Sequence, residues 1–347
     1  MSDPRIIIEI GGDQVGQVNR GERITGWSGL SVIRSIDSGA DAFSFSVPWN
    51  PTPDNIRRFR PYQSQQVVVW ADDEKLITGY LEALSLVTDP ENRSMNIQGR
   101  SITGVLIDWS AGPPFQFTGL TFNQIAAKIA HPYTVKAIPD TAPLADVQIT
   151  PGQTVYEFLS QLAAANGLFG RPTATGRLEF VNIADSAPVA DIIEGEKNVV
   201  SVSAGHDVTT LHHEYIIVAS SDGNPDISAT VTDRRMAPAI RGKKIIQPEQ
   251  ESADYSAAAK LARSRAWISS YTPQVIVKGW KHDGAFWRAG EVIRLKAPGA
   301  FIIKPSLFLI KQATFSMDES SGRITTLDLT LPGTYSNTYP EDMPWED

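Results

Sequence analysis

The stretch that most limits how this chain can fold is Leu30–Trp49, LSVIRSIDSGADAFSFSVPW. Apolar residues alternate with polar ones at Leu30/Val32 and again at Phe43/Phe45/Val47, and Asp37-Ser38-Gly39 interrupts the pattern. Two period-2 runs around a turn predict an antiparallel pair with one buried face. The pattern returns at Val200–Val218, where Val202 falls on Val32, Asp207 on Asp37, Tyr215 on Phe45 and Ile217 on Val47 without a gap. A second pair of stretches repeats in the same order. Glu82–Arg100 and Lys311–Leu331 each carry two alternating runs around a polar turn, and a further strand precedes each, Gln66–Trp70 and Glu291–Leu295. Four matched segments in one order predict a duplicated β module. Two repeats cannot close a solenoid or propeller, so the repeat must be completed in another way.

Between and around the modules the pattern changes. Ile6–Ile10 reads as a short strand, and the first hundred residues show no convincing helix. From Ile102 the period becomes helical. Thr121 is a candidate N-cap for a helix with Phe122, Ile125 and Ile129 on one face, stopped by Pro132. Thr154-Val-Tyr-Glu157 is a capping box ahead of the stripe Val155, Phe158, Leu159 and Leu162, closed by Asn166-Gly167. A hairpin over Leu168–Arg171 and Gly176–Val181 completes a compact α+β unit. Farther on, an alanine-rich helix is predicted over Ala253–Ser269 with a face of Leu261, Arg265 and Ile268, ended by Thr272-Pro273. The tail after Pro332, with Tyr335, Tyr339, Trp345, Glu341, Asp342, Glu346 and Asp347, is expected to be extended. The boundaries that follow are 1–104, 105–195, 196–222 with 273–332, an insertion at 223–272 and a tail at 333–347.

The 347 residues are enough for two or three cores. No apolar run is long enough to span a membrane, and Met1–Gly12 lacks the basic and apolar regions of a signal peptide, so none is expected. The chain has no cysteine, which excludes disulfides and thiolate metal sites. Its formal charge of -8 argues against a general grip on nucleic acid, because few cations are left to release phosphate counterions. The basic run Arg234, Arg235, Arg241, Lys243 and Lys244 is short and lacks stacking aromatics, so it reads as a solvated or protein-contacting loop. Trp49, Trp70, Trp109, Trp280 and Trp287 are expected in cores or interfaces.

Catalytic chemistry is sparse. His212-His213-Glu214 resembles a metal or acid–base cluster, but on a strand the two histidines would point to opposite faces, leaving His212 and Glu214 without a third ligand. His282-Asp283 beside Gly284 reads as a turn. No phosphate loop and no nucleophile elbow is present, and nothing selects one carboxylate pair for sugar hydrolysis. The expectation is a protein that is not an enzyme, with no catalytic, cofactor-binding or metal residues.

The order of segments resembles the baseplate hub proteins of contractile-tailed phages, the Mu-type gene P family related to the T4 hub. The matching residues begin with Gly26-Trp27, Val32-x-Arg34-Ser35-Ile36-Asp37 and Phe43-x-Phe45. They continue through Leu76-x-Thr78-Gly79-Tyr80, Gly99-Arg100-Ser101 and Leu106-Ile107-Asp108. Gly152-x-Thr154-Val155-x-Glu157, Leu162-Ala163, Gly167-Leu168 and Gly176-Arg177-Leu178 complete them, so that the resemblance covers most of residues 1–335.

The resemblance implies a mainly β fold with α+β insertions, in which two duplicated tube-like β-barrel domains are joined by two smaller domains. It implies a homotrimer whose six barrels form a ring, and two similar modules in a threefold ring do give pseudo-sixfold symmetry. The implied partners are a central spike protein and the tail tube protein, with baseplate wedge and tape-measure proteins as further neighbours. The chain would be a virion component assembled in the host cytoplasm, without membrane insertion, and DNA would pass through it without specific binding. A hub of a phage-derived injection or secretion system is the nearest alternative, and a tail-borne carbohydrate-binding or wall-degrading protein is the alternative of another class. Because the chain is acidic, a passage lined by carboxylates is also expected.

Overall fold

The computed structural model describes residues 6–11, 22–91, 93–183, 187–221, 224–246, 255–318, 322–334 and 343–346. The chain folds into two compact units. Unit 1 comprises 1–182, 278–290 and 311–326, and unit 2 the remaining segments, 183–277, 291–310 and 327–347.

Unit 1 is built on the predicted hairpin. Ser28–Ser35 and Ala42–Pro48 pair antiparallel with Val32 opposite Phe43, and Asp37 turns the chain in the left-handed region at φ 57°. The sheet then runs through Arg93–Ser101, Glu74–Thr88, Gln66–Ala71, Ile6–Ile10 and Glu22–Ile24, every neighbour antiparallel. On its other side Ser28–Ser35 pairs with the 312–317 part of the Ile302–Asp318 strand. Alternation decides the faces. Leu30, Val32, Phe43, Phe45, Met95, Ile97 and Phe315 are buried, while their neighbours along each strand point outward. A glycine is required at 99, where a Cβ would lie 2.0 Å from the Tyr80 carbonyl oxygen and 2.5 Å from the Phe43 ring.

One helix in this region went unpredicted. Pro53–Arg58 is a six-residue helix whose Thr52 side chain accepts from the Asn55 N–H, with proline in its first turn. None of its residues is buried, so there was no apolar stripe to read.

The α+β part of unit 1 follows the sequence closely. Helices Phe122–Ile129 and Val155–Ala164 both start in complete capping boxes, Thr121 with Gln124 and Thr154 with Glu157. They pack Phe122, Ile125, Val155, Phe158 and Leu159 into one core with Phe180. Leu178–Val181 lies between Phe169–Pro172, antiparallel, and Val135–Ile138, parallel. The Asp37 N–H donates to the Gly170 carbonyl at 2.7 Å and the Thr78 hydroxyl to the Ala174 carbonyl at 2.8 Å, tying this part to the hairpin sheet.

Unit 2 departs from the predicted second hairpin. Val199–His206 does form, but it pairs with Tyr271–Lys278, Val202 opposite Val275, and not with the stretch around Tyr215. Asp207 caps a short 3-10 turn, Val208–Thr210, and the chain leaves the sheet there. Glu214–Ser221 instead centres a three-stranded sheet, antiparallel to Asn224–Thr232 and parallel to Lys243–Ile246. Helix Tyr255–Ser270 lies against it, held by the Trp267 indole donating to Asp233 at 2.8 Å. This helix buries Ala259, Ser264, Ala266 and Trp267, while Leu261 is half-buried and Arg265 exposed. The Ile268 side chain lies outside the described residues.

With that correction the repeat reappears in the strand order. In unit 1 the neighbours run Ser28–Ser35, Ala42–Pro48, Arg93–Ser101, Glu74–Thr88, Gln66–Ala71. The second set runs Val199–His206, Tyr271–Lys278, Gly322–Thr330, Ile302–Asp318, Val292–Ala297. The sets end differently, since Gln66–Ala71 has an antiparallel outer neighbour and Val292–Ala297 a parallel one, Asp191–Ile193.

Candidate interaction surfaces

The residues weighed for chemistry do not converge. His212 and His213 precede the Glu214–Ser221 strand rather than lying on it, because the 3-10 turn ends only at Thr210. Each ring is engaged locally, His212 Nδ1 with the Thr210 carbonyl at 3.0 Å and His213 Nδ1 with the Met236 carbonyl at 2.8 Å. Glu214 pairs with Lys243 at 3.4 Å. His282 stacks on Trp287 at 4.2 Å, and Asp283 is a turn residue with φ 45°. Among the described residues no group of three His, Cys, Asp or Glu side chains could hold a metal ion. The basic run is dispersed too: Arg235 pairs with Glu346 at 3.5 Å while Lys243 holds Glu214. Trp280 and Trp287 are buried, and Trp109 is 42% exposed.

The tail prediction needs correction in its described part. Met343–Glu346 turns back on itself, with Met343 buried and its N–H donating to the Glu346 carboxylate at 2.8 Å. That bond, with Arg235 nearby, holds the Glu346 carboxyl below its ordinary range. The Ile303 N–H donates to the Pro344 carbonyl at 3.1 Å. Tyr335, Tyr339, Glu341, Asp342 and Asp347 lie outside the described residues.

Three surfaces of unit 1 stand out. The first is the outward side of its sheet. Ser31 faces Ser44 on one side and Ser316 on the other. Ser44 faces Gln98, Ser46 faces Asn96, and Asn96 faces Ser85. Beside these residues the charged side chains are Arg100 and Glu82, bonded to each other at 2.7 Å, and farther along the same face lie Arg23, paired with Glu9 at 3.6 Å, and Lys75 over the Trp70 ring. Glu82, and then Asp108 at 2.7 Å, push the Arg100 guanidinium above its ordinary value. The face is broad, polar and almost neutral.

The second is an apolar groove of about 600 Å³ between the short helix and the outer half of the Glu74–Thr88 strand, lined by Trp49, Ile56, Phe59, Tyr62, Leu81 and Leu86. The third is a charged cavity of about 290 Å³ bordered by Arg34, Asp41, Lys75, Arg171, Glu179 and Arg288. Burial pushes the Asp41 carboxyl up to about 6, against the opposing pull of Arg34 at 3.3 Å and the Ser35 N–H at 3.2 Å. No described helix is long and apolar enough to cross a membrane.

Comparison with known proteins gives these surfaces a context. Residues 15–101 match the family "Mu phage baseplate assembly protein GpP-like, N-terminal", and residues 103–182 match "Baseplate hub protein gp44-like, second domain". The chain is 25% identical over 332 residues to the baseplate hub protein gp44 of Escherichia phage Mu, covering 89% of this chain and 85% of that one. In fold it resembles the 43 kDa tail protein of prophage MuSo2 from Shewanella oneidensis, with a TM-score of 0.81, 22% identity and coverage of 96% and 98%. An Escherichia coli type VI secretion system component, described as similar to T4 tail proteins gp27 and gp5, matches with a TM-score of 0.57 at 12% identity, covering 96% of this chain and 77% of that one.

Proposed function

We propose, from the match of residues 15–101 and 103–182 to two domains of Mu-type baseplate hub proteins, that the chain is the structural hub of a contractile phage tail. It works as a homotrimer that joins a threefold spike to the sixfold tail tube and forms part of the DNA conduit. The observation that carries this reading is the strand order repeated in the two sets of strands. Three copies of a chain with two like modules present six like surfaces, which is what an adaptor between threefold and sixfold partners requires. On this reading the two modules are the duplicated barrel domains, the segments 105–195 and 223–272 lie apart from the ring wall, and wedge and tape-measure proteins are further neighbours.

On this reading the nearly neutral sheet face, and not the carboxylates expected from composition, lines the conduit. On a wall of serine, asparagine and glutamine whose cation Arg100 is already held by Glu82 and Asp108, few charges are left to displace phosphate counterions, so duplex DNA gains little by adhering to it. On this reading the role is mechanical. Resemblance to the type VI secretion component favours the hub of an injection system as the second reading.

Deletion of the coding sequence from the phage or prophage that carries it tests the role. The hub reading expects particles without assembled tails, restored by supplying the chain in trans. Normal tails that merely fail to digest or bind the cell wall would overturn it in favour of a hydrolase or lectin.

A further inference from the structure

Among the described residues several strands have an unpaired edge, and two of these segments belong to the two repeated sets. Val199–His206 pairs there only with Tyr271–Lys278 and buries none of its residues. The outer half of Glu74–Thr88, residues 82–88, pairs only with Arg93–Ser101, because Gln66–Ala71 reaches no farther than Tyr80. Leu86 and Val87 are each 54% exposed and Val200 51%. Natural edges are guarded by charges or proline. Neither Val200–Gly205 (VSVSAG) nor Ala83–Thr88 (ALSLVT) contains either.

The repeat specifies what these edges pair with. Ser28–Ser35 and Val199–His206 hold the same place in the two strand orders, as do Ile302–Asp318 and Glu74–Thr88. In unit 1, Gln312 lies opposite Ser35, Thr314 opposite Ile33 and Ser316 opposite Ser31, antiparallel. Carrying each strand to its counterpart, Val32 to Val202 and Lys311 to Glu82, turns that pairing into Ala83 opposite Gly205, Ser85 opposite Ser203 and Val87 opposite Ser201. Leu84 then meets Ala204, and Leu86 meets Val202.

We infer that the 82–88 edge of one copy pairs antiparallel with the Val199–His206 edge of the next, in this register, and that this is the contact that closes the ring. Leu84 and Leu86 share the side of the sheet that buries Ile97 and Met95, so the apolar partners meet on the core side. Ser85 meets Ser203 on the neutral side, extending that face across the joint. A shift of one residue would exchange the two faces and expose every apolar contact. The contact is head-to-tail, so it generates a closed ring or an open filament, never an isolated twofold dimer. The inference names the contact surface of the proposed trimer and rests on that reading.

The absence of cysteine makes the test direct. In the full-length chain, Ser85→Cys with Ser203→Cys places two thiols opposite each other, within disulfide reach for facing residues of an antiparallel pair. Mild oxidation is expected to convert most of the protein into covalently closed trimers, with less than a tenth of that yield for Ser85→Cys with Thr209→Cys. As a second variant, Leu86→Lys should shift the native mass from three chains to one while leaving the far-ultraviolet spectrum unchanged. A trimer by native mass that fails to cross-link through 85 and 203 would overturn the pairing and leave the trimer standing. Cross-linked open chains would uphold the pairing and remove the threefold ring. A monomer with no cross-link at any concentration would remove both.

Discussion

The two sets of strands share one order and close their first hairpins in opposite ways. Between Ser28–Ser35 and Ala42–Pro48 the chain needs only a tight turn through Asp37. Between Val199–His206 and Tyr271–Lys278 it leaves for residues 207–270, builds a separate sheet and helix, and returns. The pairing survives because register is set by which side of each strand faces the core, Val202 lying opposite the buried Val275, while the entropy of closing a longer loop rises only slowly with length. Insertion into a hairpin connection is therefore a cheap way to add a surface without altering the module.

The largest effect that could break this comparison is removal of the excursion itself. Replacing residues 207–270 by the turn sequence of 36–41 should leave a chain that still unfolds cooperatively by calorimetry. Loss of the cooperative transition would mean that the 207–270 segment, rather than facial alternation, holds the second hairpin together. Next in size is Phe45→Ala, which removes a side chain 1% exposed at the centre of the first module. It should cost ~3–5 kcal/mol, by lost transfer energy and the cavity left behind, measured by denaturant titration. A cost below about 1 kcal/mol would show that the first sheet has no packed core at that point.

Asp41 sharpens the comparison through pH. Its carboxyl is raised from 3.8 to about 6, chiefly by burial, so the folded state favours the protonated form. The stability this gives is complete below about pH 4 and is lost as pH rises through about 6, a change on the order of 3 kcal/mol. Asp41→Asn should flatten that window in thermal unfolding between pH 4 and 7. A variant that keeps the full slope would place the titrating group elsewhere. The smallest effect is at the capping box: Thr154→Ala should destabilise unit 1 by ~1 kcal/mol, since the Glu157 N–H loses its acceptor. Thr52→Ala, on a helix that buries nothing, should do no more than loosen that turn.

What could be read in advance was what repeats locally. Alternation placed Ser28–Ser35, Ala42–Pro48 and Arg93–Ser101, and the Thr121 and Thr154 caps placed two helices, because each signal is contained in a few adjacent residues. The partner of Val199–His206 was missed because two later segments alternate equally well. Tyr215 and Ile217 are as buried as Val275 and Val277, and alternation says that a face is buried without saying against which neighbour. Among the site residues, His212 was placed on a strand because nothing before it marks the 3-10 turn except Asp207. The neutral face was hidden for the opposite reason. Ser31, Ser44 and Ser46 sit on one hairpin, but Ser85, Asn96, Gln98 and Ser316, which complete the face, come from strands far apart in sequence, so the net charge of the chain spoke louder than the charge of that surface.

The central claim, that three copies present six like surfaces around a passage, is tested most directly by an electron cryomicroscopy reconstruction of the assembled full-length chain without imposed symmetry. The account predicts three copies, six matching sheet segments about the axis, and a wall on which Ser31, Ser44, Ser46 and Gln98 face the passage. A ring of another order, or a passage lined by lysine and arginine, would contradict it.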